Sequence, residues 1–92
     1  MTLAEFQNLA ETGGLSPSLQ ALWQDARGDW ERAHELAQED GGRDGAWVHA
    51  YLHRKEGDVS NAAYWYAQAG RPVCHEALAD EWATIAAELL AR

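Results

Sequence analysis

The chain has 92 residues, 47% of them hydrophobic, and its 15 acidic and 7 basic residues give a formal net charge of −8. This length predicts one domain with a modest core, and the acidic balance argues against nucleic-acid and membrane partners, because both surfaces are anionic. A single cysteine excludes an internal disulfide, the first residues lack the basic start of a secretion signal, and no run reaches the ~18 apolar residues of a membrane span, so we expect a cytoplasmic protein.

The first two predicted helices are marked by their capping residues. Thr2, followed three residues later by Glu5, is a capping box at the start of a helix over residues 2–12. Ser16 supplies a capping hydroxyl directly before a proline, which is typical of a helix start, and this second helix ends at Gly28. The apolar residues between these signals recur at helical spacing.

A dipeptide repeat organises the middle of the chain, where Gly28-Asp29 returns as Gly57-Asp58, 29 residues further along. In each copy the glycine can close one helix in the left-handed conformation and the aspartate can cap the next helix, so the chain turns with almost no loop. One helical hairpin cannot bury its apolar faces alone, so hairpins are used in stacks. The repeat therefore predicts two antiparallel helical hairpins, over about residues 16–40 and 44–70.

A last helix is predicted over residues 73–91, with an apolar stripe formed by Leu78, Trp82, Ile85 and Leu89. No stretch alternates apolar and polar residues with β-branched side chains, so no sheet is expected. The prediction is a single all-α domain, residues 1–92, with about six helices. The two hairpins stack, and the helices over 2–12 and 73–91 flank them as caps.

The second hairpin carries small and aromatic residues at regular positions, with Ala50 on its first helix and Ala62, Tyr66 and Ala69 on its second. These positions resemble the tetratricopeptide (TPR) and Sel1-like repeat families, although the spacing of 29 residues is shorter than the ~34 of TPR units. The resemblance implies a scaffold that binds proteins or peptides without chemistry of its own. No phosphate-binding loop or nucleophile elbow occurs, so we expect neither an enzyme nor a cofactor.

One side of the predicted fourth helix combines two aromatic residues with two cations: Trp47, Tyr51, Arg54 and Lys55. In the similar families this face lines a concave groove, so the resemblance implies that it holds an acidic peptide or a terminal carboxylate. The alternative is that the rings pack in the core while the cations stay in water, because aromatic stripes at helical spacing usually belong to the core. Formation of a homodimer is a further alternative, since a stack of two hairpins can leave an apolar end.

Another side of that helix presents His49, His53 and Glu56 at positions i, i+4 and i+7, a spacing that can ligate zinc or another divalent ion. Further ligands are available elsewhere in the chain, at His34, Cys74 and His75. The glutamate that follows the first histidine in metalloprotease motifs is missing here, so we favour structural histidines without a metal. A small-ligand pocket lined by tryptophans is the third alternative.

Overall fold

The chain folds into six α-helices and no strand. The computed structural model describes all residues from Met1 to Arg92. Its helices are α1 (Leu3–Gln7), α2 (Pro17–Ala26), α3 (Trp30–Glu39), α4 (Arg43–Lys55), α5 (Val59–Ala69) and α6 (Leu78–Leu90). The predicted all-α class with about six helices is therefore confirmed. None of these helices combines the length and the apolar character needed to cross a membrane.

The two Gly-Asp turns have the same geometry. Gly28 and Gly57 adopt left-handed φ angles of 84° and 89°, which favour glycine over residues with a Cβ. Asp29 then accepts a hydrogen bond from the backbone N–H of the third residue after it at 3.0 Å, and Asp58 does the same at 3.2 Å. Each turn thus ends one helix and caps the next within two residues.

The two flanking helices are shorter than the sequence predicts. The capping box of Thr2 and Glu5 forms, but α1 ends at Gln7, because the Asn8 side chain donates to the carbonyl oxygen of Ala4 at 2.9 Å and closes the helix. At the other end of the chain, α6 begins only at Leu78. Residues 71–77, which precede it, are not helical.

Helix α4 is the centre of the domain. It packs against α2, α3, α5 and α6, and every residue from Gly45 to His53 is buried. Helix α6 packs on α4, α2 and α1, whereas α5 packs mainly on α4 and reaches α6 through the side chain of Tyr66. The side of α5 that faces away from α4 is therefore left uncovered.

Tryptophan side chains join the outer helices to this centre. Trp82 of α6 stacks on Phe6 of α1 with ring centroids 5.9 Å apart, and its indole N–H donates to the carbonyl oxygen of Leu22 at 2.9 Å. Trp30 of α3 donates in the same way to the carbonyl oxygen of Leu52 at 2.9 Å. Each indole thus fills a gap between helices and satisfies its one donor.

Candidate functional site

The predicted aromatic and cationic face of α4 is turned toward the protein interior. Tyr51 is buried, and its hydroxyl donates to Asp25 Oδ2 at 2.8 Å. Lys55 Nζ donates to the other oxygen of the same carboxylate, also at 2.8 Å. Because Asp25 is only 3% exposed, the ammonium group of Lys55 neutralises a buried charge.

A second buried carboxylate, Glu81 of α6, is held in the same way. Arg54 Nε donates to Glu81 Oε1 at 2.9 Å, and the hydroxyl of Tyr66 donates to Glu81 Oε2 at 2.5 Å. Burial raises the pKa of Tyr66 above its usual range, and the hydrogen bond to the carboxylate raises it further. Burial also raises the pKa of Tyr51, with the charge of Asp25 as the next cause. Both phenols are therefore kept neutral.

The fourth residue of the predicted face, Trp47, is also buried, and the guanidinium of Arg71 covers its ring at 3.8 Å from the centroid. All four side chains thus have partners within the chain. The cations, expected in water under the alternative interpretation, instead bind buried carboxylates. Partner binding at this face stays a prediction, and a peptide would have to displace these contacts.

A cluster of three histidines lies between α3 and α4. His34 of α3 meets His49 of α4 with their Nε2 atoms 2.8 Å apart, and His53 lies one helical turn further along α4. One ligand nitrogen of each ring lies within 4.8 Å of the others. We call these three residues the histidine cluster. The spacing of His49, His53 and Glu56 was visible in the sequence; in the structure His53 meets Glu56, whereas the partner of His49 is His34.

Two tryptophans and one glutamate surround the histidine cluster. Trp30 stacks on His34 with centroids 4.9 Å apart and planes 9° apart, and Trp65 of α5 stacks on His49 at 4.0 Å and 14°. Glu56 Oε1 lies 2.6 Å from His53 Nδ1. Neither tryptophan was predicted from the sequence to lie at this site. The sequence places Trp30 one turn before His34 on the same helix, which could have indicated their stacking. Trp65 lies on α5, the helix that follows His49 and His53 in the second hairpin, and no spacing pointed to its contact with His49.

Two members of the histidine cluster, His34 and His49, are uncharged at neutral pH. Burial lowers the pKa of His49 to about 4, and the neighbouring His34 and His53 lower it further. Burial also lowers the pKa of His34, with His53 as the next cause. A neutral imidazole keeps a lone pair on one ring nitrogen, which is the form that accepts a hydrogen bond or ligates a metal.

The other residues named as possible metal ligands lie apart from the cluster. Cys74 is a free, partly buried thiol whose Sγ is 4.0 Å from Arg54 Nη2, and His75 is exposed. Neither belongs to a group of three metal-ligating side chains.

No cleft of the molecule is lined by several tryptophans. They have volumes of about 260 to 480 Å³, and each is lined by at most one tryptophan. The cleft lined by Trp82 together with Tyr51 and Lys55 measures about 360 Å³. The tryptophans instead pack singly against neighbouring helices or rings.

The uncovered side of α5 is the second distinctive surface. Val59 is 69% exposed and Tyr64 is 55% exposed. Small exposed residues complete this surface, which we call the α5 face: Val59, Ser60, Ala63, Tyr64 and Ala67. Helix α5 carries no charged residue, whereas each of the other five helices carries at least one acidic residue.

Comparisons of the chain with protein-family models, with curated proteins and with solved structures found no match. The resemblance to TPR and Sel1-like repeats therefore stays a prediction drawn from the residues of the second hairpin.

Proposed function

We propose that this chain is a non-enzymatic helical-repeat module of the TPR or Sel1-like kind, which associates with a second copy of itself through the α5 face. We further propose that it works in the cytoplasm, where its one cysteine stays a free thiol. The observation that carries the proposal is the α5 face itself, an uncharged and solvent-exposed helix side on a chain of net charge −8.

The helical-repeat character explains why α5 is uncovered. In stacked hairpins each unit covers the outer side of the preceding one, and the last unit needs either a polar outer face or a further partner. Here α5 packs mainly on α4, and α6 lies against α4, α2 and α1 instead of covering the outer side of α5. The exposed side of α5 is apolar at Val59 and Tyr64, so we propose that a bound partner buries these side chains.

Charge favours a second copy as that partner. Two chains that each carry a net charge of −8 repel one another, and the repulsion is smallest where neither side presents a charge. The α5 face is such a surface, and Ala63 and Ala67 allow two helices to approach closely. A twofold arrangement then sets the same helix against itself, as in most homodimers.

Sedimentation velocity of the full chain over a range of concentrations tests the proposal. The wild-type chain should form dimers as its concentration rises, and Ala67→Glu should weaken the dimer, because the new carboxylate faces its own copy across the interface. The matched control is Ala87→Glu, an exposed alanine on α6, which should leave the dimer unchanged. A strictly monomeric wild-type chain, or equal weakening by both variants, would contradict self-association through α5.

A further inference from the structure

The histidine cluster has no role in self-association through α5, and its chemistry points to a different ligand. Histidine is the commonest metal ligand in proteins, and it binds as the neutral imidazole. Here three histidine rings bring one nitrogen each within 4.8 Å of the others. We propose that the cluster binds one divalent transition-metal ion of the zinc class, through one ring nitrogen each of His34, His49 and His53.

The closest pair of ring nitrogens requires only a small adjustment. His34 Nε2 and His49 Nε2 are 2.8 Å apart and share a hydrogen bond. Two nitrogens bound tetrahedrally to zinc at ~2.0–2.1 Å stand ~3.3 Å apart, so the ion would separate this pair by roughly half an ångström. The ring that carries its proton on Nε2 would carry it on Nδ1 instead, which changes its tautomer and not its charge.

Glu56 orients His53, the third ligand. Its Oε1 lies 2.6 Å from Nδ1 of His53, and the carboxylate accepts the Nδ1–H bond. The lone pair of His53 is then on Nε2, the nitrogen left free for a metal. Metal-ligating histidines commonly donate their other N–H to a carboxylate in this way, which sets the tautomer and raises the basicity of the ligand. Glu56 is therefore a positioning residue in this proposal.

The flanking aromatic rings hold the ligands in place. Trp30 stacks on His34 and Trp65 stacks on His49, so two of the three imidazoles are restrained from the outside. His49 and His53 are buried, while His34 is partly exposed and gives the ion a route from solvent. Three nitrogen ligands leave the fourth position of a tetrahedral ion for water or another small ligand.

A competing group of ligands shares one member with the cluster. His53, Glu56 and Asp58 also bring one ligand atom each within 4.8 Å of the others. However, Asp58 already caps α5 through the backbone N–H of Asn61 at 3.2 Å, and both carboxylates are exposed. Nitrogen ligands also suit zinc-class ions better than two exposed carboxylates do. The three histidines are therefore the stronger site.

The test is a calorimetric titration of the metal-free full chain with zinc, together with the visible spectrum after addition of cobalt(II). Wild-type protein should bind one zinc per chain, and cobalt should show the absorption of a tetrahedral site. His34→Ala should weaken zinc binding by at least about 100-fold, and Glu56→Gln by about 10-fold or more. His75→Ala removes the one histidine outside the cluster and should change nothing.

One further variant and a check of folding make the result decisive. Asp58→Asn preserves the cap of α5, because asparagine caps as well as aspartate, and it should leave zinc binding unchanged. Helical circular dichroism checks each variant, and Glu56→Gln replaces a partly exposed side chain, so it should fold even if His34→Ala does not. The proposal is overturned if wild-type protein binds no zinc, if His75→Ala weakens binding as much as the cluster variants do, or if Asp58→Asn abolishes it.

Discussion

Gly45 of α4 lies directly against the carbonyl oxygen of Asp40, at the end of α3. A Cβ at position 45 would stand 2.0 Å from that oxygen and 2.9 Å from the carbonyl oxygen of Ala37. Both contacts are with backbone atoms, which cannot move aside as a flexible side chain can. The close crossing of α3 and α4, which also brings His34 to His49, therefore requires glycine at this position.

Gly45→Ala should accordingly destabilise the protein by about 3 kcal/mol, the upper part of the range for overpacking, because the two helices must separate. Urea unfolding followed by circular dichroism measures this change. Gly42→Ala is the matched control: its Cβ would meet only the side chain of Asp40 at 3.5 Å, an ordinary contact. Equal stabilities of the two variants would contradict the close approach at Gly45.

The charges of Arg54 and Lys55 should matter for folding. Replacing both with glutamate would place new carboxylates beside the buried Asp25 and Glu81. Removing one partner of a buried ion pair typically costs about 3–5 kcal/mol, so the double variant should be largely unfolded. The control is Arg32→Glu combined with Arg43→Glu, which changes the net charge equally at exposed positions. A double variant at 54 and 55 with wild-type thermal stability would contradict the buried pairing.

Alkaline pH should unfold the protein through its two buried tyrosines. Burial and the adjacent carboxylates raise the pKa of Tyr51 and Tyr66 in the folded state above the value of about 10 in the unfolded chain. The unfolded state therefore loses these protons first, and the stability that the neutral phenols contribute is complete below about pH 10 and is lost as pH rises above it.

The measurement is an alkaline titration followed by tyrosinate absorbance and circular dichroism. A Tyr64→Phe variant is used, because Tyr51 and Tyr66 are then the only tyrosines of the chain. Their tyrosinate absorbance should appear together with the loss of the helical circular dichroism signal. Tyrosinate absorbance at full intensity while the helices are intact would show that the phenols are not held by Asp25 and Glu81.

Helix α6 should be required for folding. It supplies Glu81 to Arg54 and Tyr66, and Trp82 to the core beside Phe6. A chain ending at Gly70 would leave the cation and the phenol without their buried partner. We expect circular dichroism and proton NMR to show a fragment of residues 1–70 without a cooperative fold. A fragment that melts cooperatively would show that α6 is dispensable.

The local features of the fold could be predicted from the sequence because they depend on neighbouring residues. The capping box at Thr2, the cap at Ser16 and the two Gly-Asp turns are set within four residues, and the helices follow from apolar spacing. The predicted extents of the first and last helices were too long, because the capping of Asn8 and the position of Leu78 depend on details beyond periodicity.

The contacts that side chains make with other helices could not be predicted in this way. Lys55 and Asp25 are 30 residues apart, and Arg54 and Glu81 are 27 apart, so their pairing depends on how α4 sits against α2 and α6. The meeting of His34 with His49 likewise depends on the register of α3 against α4, which Gly45 helps to set. Spacing along one helix identifies the residues on a face but not the element that faces them.

Disulfide trapping across the α5 face tests the central claim most directly. Ala63 lies near the middle of α5, so in a twofold dimer it lies close to its own copy, within the Cα separation of about 4–7 Å that a disulfide requires. In a Cys74→Ser background, Ala63→Cys should therefore form a covalent dimer under mild oxidation, whereas Glu35→Cys on the exposed side of α3 should stay monomeric. Equal cross-linking of the two cysteine variants, or none by Ala63→Cys, would contradict self-association through α5.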